Sequence, residues 1–319
     1  AVLLALGLGA WSDATGRWRW VPAGVVVAIG VLAIPYVFSQ RTFSDINVAK
    51  RSRWQWDGQA LGITFGRAFA DEAPLWAVTA AGCLPYFSRL PALDLLGLND
   101  AHIARQEPHP TYQLGHRHGD GAYVLGRAPD LITFRQPRGG KPYFKSGLEM
   151  AQDPRFDREY QRIRFQTVEP IAMWSETYVR RHGRVGIEAT HEAGESDPSS
   201  VRVPGYLFRG AIGHPLPDGG LGALIERKKS VTVDLPRLAA GRYRVRLHPE
   251  NPRVAVRVAT TGRGALFPDG DDSRVFSLVE GAALRIDVQS KWLSTLLGAL
   301  VIERLGPSSP SNADPHESL

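Results

Sequence analysis

Between Trp20 and Gln40 the chain runs 21 residues without a charged side chain, WVPAGVVVAIGVLAIPYVFSQ. As a helix this stretch would span about 30 Å, the thickness of a hydrocarbon core. Trp18, Trp20 and Tyr36 lie near its ends, where an interfacial aromatic belt falls. The run therefore predicts a transmembrane helix rather than a buried helix of a large domain, and Pro35 near its far end is compatible with that. The preceding loop, Trp11–Arg19, carries Arg17 and Arg19. In so short a connection positive charge marks the cytoplasmic side, so the expectation places everything after Gln40 outside the cell membrane. Residues 1–10, AVLLALGLGA, are uncharged and read as the tail of an apolar helix. The expectation is a C-terminal part of a longer chain, with no signal peptide.

Composition narrows the function classes. Of the 38 basic residues only six are lysine, and they are interspersed with 32 acidic ones for a net charge of +6. No basic stripe with interleaved aromatics occurs, so nucleic acid is not expected as a partner. Cys83 is the only cysteine, which excludes an intrachain disulfide.

Along the chain the pattern predicts an α+β protein: one or more membrane helices at the N-terminus (1–40), an interfacial connector (41–74), a small, mostly parallel α/β unit (75–182), a β-sandwich of jelly-roll type resembling a carbohydrate-binding module (183–305), and a disordered tail (306–319). In the connector, Arg41, Lys50, Arg51 and Arg53 precede Trp54 and Trp56. The tryptophans read as membrane anchors or as part of an acceptor site, and Arg41, Arg51 and Arg53 sit at the depth of a lipid phosphate. Short strands alternating with short helices over 75–135 imply parallel pairing. Residues 136–159 read as irregular. After about 183, β-like runs recur between Gly, Pro, Asn and Asp, and RYRVRLH alternates with period two, as in a strand with one wet face. Gly210–Gly222 reads as a long loop, and Asp269–Asp272 as a hairpin turn.

Two polar motifs stand out: LDLLGLND, with Asp94, Asn99 and Asp100, and GHRHGDG, with His116, His118 and Asp120. Carboxylates and amides at the carboxyl end of a parallel strand suit a sugar hydroxyl. Asn99 and Asp100 serve equally well as helix caps. His116, His118 and Asp120 could touch a ligand, bond locally or hold a metal, with His102, His109 and His191 available as further ligands, although an H-x-H spacing is weak metal evidence. No cofactor is firmly implied, and a divalent metal is left open. Neither a G-x-S-x-G elbow nor a phosphate-binding P-loop is present.

AAGCLPYFSRLPALDLLGLNDAHIAR followed by GHRHGDGAYVLGRAPDLITF resembles the C-terminal region of polytopic envelope glycosyltransferases of the C class, most closely the bacterial arabinofuranosyltransferase group. The resemblance implies an enzyme of the bacterial inner membrane that takes a sugar, a pentofuranose in the arabinofuranosyltransferase group, from a polyprenyl-phosphate donor. It implies a cell-envelope glycan as acceptor, with membrane lipid as a further partner. In such enzymes the catalytic acid lies upstream of the region matched here, so the resemblance assigns no catalytic residue to this chain. It leaves Asp94, Asn99, Asp100, His116, His118 and Asp120 as substrate contacts. The alternative is a non-catalytic, membrane-anchored glycan-binding or assembly protein.

Overall fold

The computed structural model describes residues 21–40, 47, 53–110, 115–191, 197–250, 254–260, 264–265, 274–291 and 293–306. The chain divides into two compact units, residues 1–53 and 54–319. In the first, α1 (Val21–Gln40) is a helix with Pro35 inside it. Among the described residues no helix is long and apolar enough to cross a membrane. The expected membrane-helix element of the fold is corrected accordingly.

The second unit holds α2 (Arg53–Ala68) from its second residue on and continues through β1 (Trp76–Val78), α3 (Cys83–Ser88), β2 (Ala92–Asp94), α4 (Ala101–Ala104), α5 (Gly121–Gly126) and β3 (Leu131–Thr133). Next come α6 (Phe144–Gln152), α7 (Pro154–Glu159), β4 (Tyr160–Thr167), β5 (Met173–Arg180), β6 (Glu188–His191) and β7 (Pro198–Pro204). The remaining strands are β8 (Ile212–Pro215), β9 (Leu221–Ile225), β10 (Ser230–Leu238), β11 (Gly241–His248), β12 (Val254–Thr260), β13 (Gly264–Ala265), β14 (Val275–Leu278), β15 (Ala282–Ser290), β16 (Thr295–Leu297) and β17 (Ala299–Gly306).

These strands form three sheets, in the orders β16-β9-β8-β4-β5-β3-β1-β2, β10-β15-β12-β13 and β14-β11-β17-β7-β6. This corrects the expected fold of a small, mostly parallel α/β unit followed by a β-sandwich of jelly-roll type. Strand β1 does pair in parallel with β2 and β3, but β3 pairs antiparallel with β5, Leu131 opposite Val179 and Ile132 opposite Tyr178. Three strands of three residues present too little buried surface to stand alone, and joining β5 also covers the exposed edge of β3. From the C-terminal half, β8, β9 and β16 return to extend the same sheet. The other two sheets share a core, with Val233 and Ile286 from one and Val245 and Ile302 from the other. That core is continuous with the α2 side of the large sheet, through Phe65, Trp76, Phe165 and Tyr206.

Alternation along the parallel strands explains the layering. Trp76 and Val78 point to the α2 side, while Ala77 and Ile132 point to the other face. There a second core of Leu93, Ile103, Val124, Phe134, Met150 and Tyr178 seats α4 to α7. Helix α2 fits because glycines allow close approach. A Cβ on Gly58 would fall 2.1 Å from Cys83 Sγ, and one on Gly66 would fall 2.6 Å from the Ser88 carbonyl oxygen.

Candidate functional site: a histidine–carboxylate cluster beside the parallel strands

Strand order β3-β1-β2 means that the chain reverses across β1, and α/β sheets bind ligands at the carboxyl end of such a reversal. Here the crevice between β1 and β3 is occupied by the protein's own groups. The Thr79 hydroxyl donates to the Arg135 carbonyl. Arg135, at φ 62°, sets its guanidinium 4.4 Å from the centre of the Tyr143 ring. Arg138 Nε donates to the fully buried Asp57 carboxylate at 2.6 Å, which ties α2 to the segment after β3.

The polar motifs meet instead on the β2 side. Beyond β2, Asp94 folds its carboxylate back onto its own loop, Oδ1 accepting from Leu96 N–H at 2.9 Å and Oδ2 from Asn99 N–H at 2.7 Å. It is buried. That turn delivers Asp100 as the N-cap of α4, where it accepts from Ile103 N–H at 2.9 Å. Asp120 caps α5 in the same way, accepting from Tyr123 N–H at 2.8 Å. Each cap has a second oxygen to spare, and these join the two helices. Asp120 Oδ2 lies 2.8 Å from His102 Nε2, and Asp100 Oδ2 accepts from the Tyr123 hydroxyl at 3.1 Å. The His102 ring stacks on Tyr123, centroids 4.0 Å apart and planes 18° apart. Arg127 donates to the Tyr123 hydroxyl at 3.0 Å. The Gln106 amide sits 3.1 Å from His102 Nε2, and His118 Nδ1–H donates to the Gln106 carbonyl at 2.8 Å.

Helix α6 holds this loop from behind. Ser146 Oγ accepts from Asp120 N–H and donates to the Leu95 carbonyl, both at 3.0 Å, so one hydroxyl links the two motif loops. Glu149 Oε2 accepts from Gly121 N–H at 2.7 Å, and Lys145 Nζ donates to the Gly119 carbonyl at 2.6 Å. Gly119 and Gly121 must be glycine for this packing. A Cβ would fall 2.4 Å from Ser146 N at the first and 2.6 Å from Glu149 Cβ at the second.

A carboxylate only accepts, so His102 Nε2 carries its proton toward Asp120. Burial works against ionisation of Asp120, but the hydrogen bonds from His102 and from Tyr123 N–H outweigh it. With the nearby Lys145 charge they hold the carboxyl below its ordinary range. The outcome is an ionised carboxylate behind a half-exposed imidazole, flanked by an aromatic ring, a phenol and an amide. Such a group can orient or accept a proton from a hydroxyl, and the ring edges offer stacking surface. Among the described residues no group of three or more His, Cys, Asp or Glu is placed to hold a metal ion.

Of the residues singled out from the sequence, Asp100 and Asp120 belong to the cluster and His118 braces it. Asn99 is exposed beside it. His116 lies apart, its ring stacked on Phe144 at 4.9 Å, and Asp94 is a buried turn-former. Arg41 and Arg51 lie outside the described residues, as do the side chain of Arg53 and the Asp269–Asp272 turn. The sequence reading took His102 only as a further candidate metal ligand, and it missed Gln106 and Tyr123, and also Ser146 and Glu149. The last two were concealed by the reading of 136–159 as irregular, although Asp153-Pro154 is a helix-start signal. Asp153 caps α7 by accepting from Arg155 N–H at 2.9 Å.

The larger hollows lie elsewhere. One of about 530 Å³ is lined by Leu216, Pro217, His248, Pro249, Leu293 and Leu296. Another of about 440 Å³ is lined by Ile63, Arg67, Val168, His214, Leu216 and Leu296. Each hollow carries polar groups in its lining, Asp218, His248, Ser294 and Thr295 in the first and Thr64, Arg67, Glu169 and His214 in the second, whereas the polar groups around His102 are bonded to one another in a single network.

Residues 46–184 match a family described as a domain of unknown function (DUF8728). The match spans α2 to the end of β5 and so includes the whole cluster. No curated protein matches the chain. A solved structure described as a family GH115 4-O-methyl-alpha-glucuronidase with specificity for decorated arabinogalactans is similar at 13% identity, with a TM-score of 0.26. The aligned region covers 37% of this chain and 19% of that one, so the chain spans about a fifth of the glucuronidase. A likeness so slight defines no shared fold.

Proposed function

We propose that this chain is the glycan-contacting portion of an envelope glycosyltransferase that draws its sugar from a polyprenyl-phosphate donor. The observation that carries the reading is the convergence of LDLLGLND and GHRHGDG on one network, His102–Asp120 and Tyr123–Asp100. Motifs that served only as separate helix caps would have no need to share partners. A glycosyl phosphate already has a good leaving group, so the demands on the protein are to hold the sugar and to orient the acceptor hydroxyl. His102 and Asp120 suit that second task, with Tyr123 and Gln106 supplying stacking and hydrogen bonds. No group in this chain is assigned the chemical step.

The test is transfer of labelled sugar from a panel of polyprenyl-phosphate donors, in membranes of cells that express the protein in its native full-length form. Transfer to endogenous glycan that disappears when the gene is deleted supports the reading. Equal transfer with and without the gene, across the panel, rejects it in favour of a non-catalytic glycan-binding role.

A further inference from the structure

Helices α4 to α7 cover only one end of the large sheet. Tyr160 and Tyr178 lie under them in the second core. Farther along β4 and β5, the same face is uncovered. Alternation puts Arg162, Arg164 and Gln166 on it from β4, and Trp174 and Glu176 from β5. The antiparallel register places Gln166 directly opposite Trp174, and Arg164 directly opposite Glu176. The indole of Trp174 is exposed, the residue being 44% accessible. The Arg164 guanidinium sits 6.0 Å from the centre of its ring.

The polar groups around the indole are held in place. Glu176 accepts from Arg162 through one oxygen and from Arg164 through the other, at 3.3 Å in the second case. Burial alone would raise the Glu176 carboxyl, but the two guanidiniums keep it below its usual range, so it stays an acceptor. Beside it runs the segment after β3: Arg138 O accepts from Glu176 N–H at 2.8 Å, and Gly139 bridges to Glu176. A Cβ on Gly139 would fall 1.8 Å from the Glu176 carbonyl oxygen. The Gly139-Gly140 bend therefore borders the platform with no side chain standing over it.

We propose that this face is a second glycan site, in which a sugar ring stacks on Trp174 while its hydroxyls bond to Gln166, Arg164 and Glu176. The chemistry fits that occupant better than a protein partner. The exposed indole stands among planar hydrogen-bonding groups, and the other exposed apolar residues nearby, Val168 and Ile171, lie in the turn between β4 and β5, so the face offers a stacking position and not the broad apolar core of a protein interface. The charges also match. Glu176 offsets one of the two arginines that grip it, leaving a modest positive balance and many donors, which suits a polyhydroxylated chain. The site is separate from the His102 cluster and does not depend on the glycosyltransferase reading.

Affinity electrophoresis of the 319-residue chain through gels containing soluble arabinan, galactan, mannan or dextran tests it. The expected result is retardation by at least one polysaccharide, lost at least tenfold in Trp174→Ala, weakened several-fold in Arg164→Ala, and largely kept in Trp174→Phe. Arg227→Ala, in the exposed turn after β9, should be retarded like the wild type. Retardation of Trp174→Ala equal to wild type, or none of the wild type in any of the four gels, would overturn the proposal.

Discussion

Asp120 Oδ2 lies 2.8 Å from His102 Nε2 while its other oxygen caps helix α5. One carboxylate thus both starts a helix and positions an imidazole that belongs to a different helix. Substitutions that separate the two duties separate stability from binding.

Asp120→Asn keeps a capping oxygen and loses the charge behind His102, whereas Asp120→Ala loses both. The alanine variant should lose about 1 kcal/mol of stability, the usual worth of an N-cap. The asparagine variant should lose less than half of that. Urea unfolding of the three proteins measures the difference, and equal losses would show that the cap is not what Asp120 contributes to stability.

Asp94 should behave as structure and not as a ligand contact. Both its oxygens accept backbone N–H groups in a buried turn. Asp94→Ala leaves those donors unpaired and should cost roughly 2–4 kcal/mol. A melting temperature within a degree of wild type would contradict that placement.

Arg138 holds the carboxylate of Asp57, whose side chain is fully buried. Removing one partner of a buried pair is costly because the other charge keeps its desolvation penalty. Since Arg138 itself is half exposed, Arg138→Ala should cost about 2–3 kcal/mol, below the fully buried case. Arg138→Met, measured beside it, separates charge from packing: equal losses in the two identify the charge.

The pH dependence has a definite sign. Asp120 titrates lower in the folded chain than its ordinary 3.8. Its ionised form therefore adds stability that is fully present above pH 3.8 and is lost as pH falls through the depressed folded value. The stability difference between wild type and Asp120→Asn should shrink as the pH is taken below the ordinary carboxyl value of 3.8. A difference that grows on acidification would contradict the assigned direction.

Local signals in the sequence were legible where they are set by neighbours in the chain. RYRVRLH forms β11 with alternating burial, and Asp100 caps α4, as turn chemistry allows. The pairing of His102 with Asp120 was not legible, because it requires α4 and α5 to lie side by side on one sheet face, a tertiary event that no spacing encodes. Gly210–Gly222 misled for a related reason. Gly210, Gly219 and Gly220 do lie in turns, but two others mark close approach within strands: Gly213 lies in β8 against the Phe165 ring, where a Cβ would fall 2.2 Å from Cδ1. In β9, a Cβ on Gly222 would fall 2.4 Å from the Leu297 carbonyl oxygen. Strands β8 and β9 belong to the large sheet, so reading them as a loop also hid the fact that the C-terminal half returns to the N-terminal sheet.

The most direct measurement is the acceptor dependence of transfer by wild-type and His102→Ala full-length protein at saturating polyprenyl-phosphate donor. The account predicts an acceptor KM raised about tenfold in the variant, the loss expected when a contact to a bound hydroxyl is removed, with kcat within about threefold of wild type. Unchanged acceptor KM and kcat in a normally folded His102→Ala protein would contradict the claim that the His102–Asp120 cluster meets the glycan.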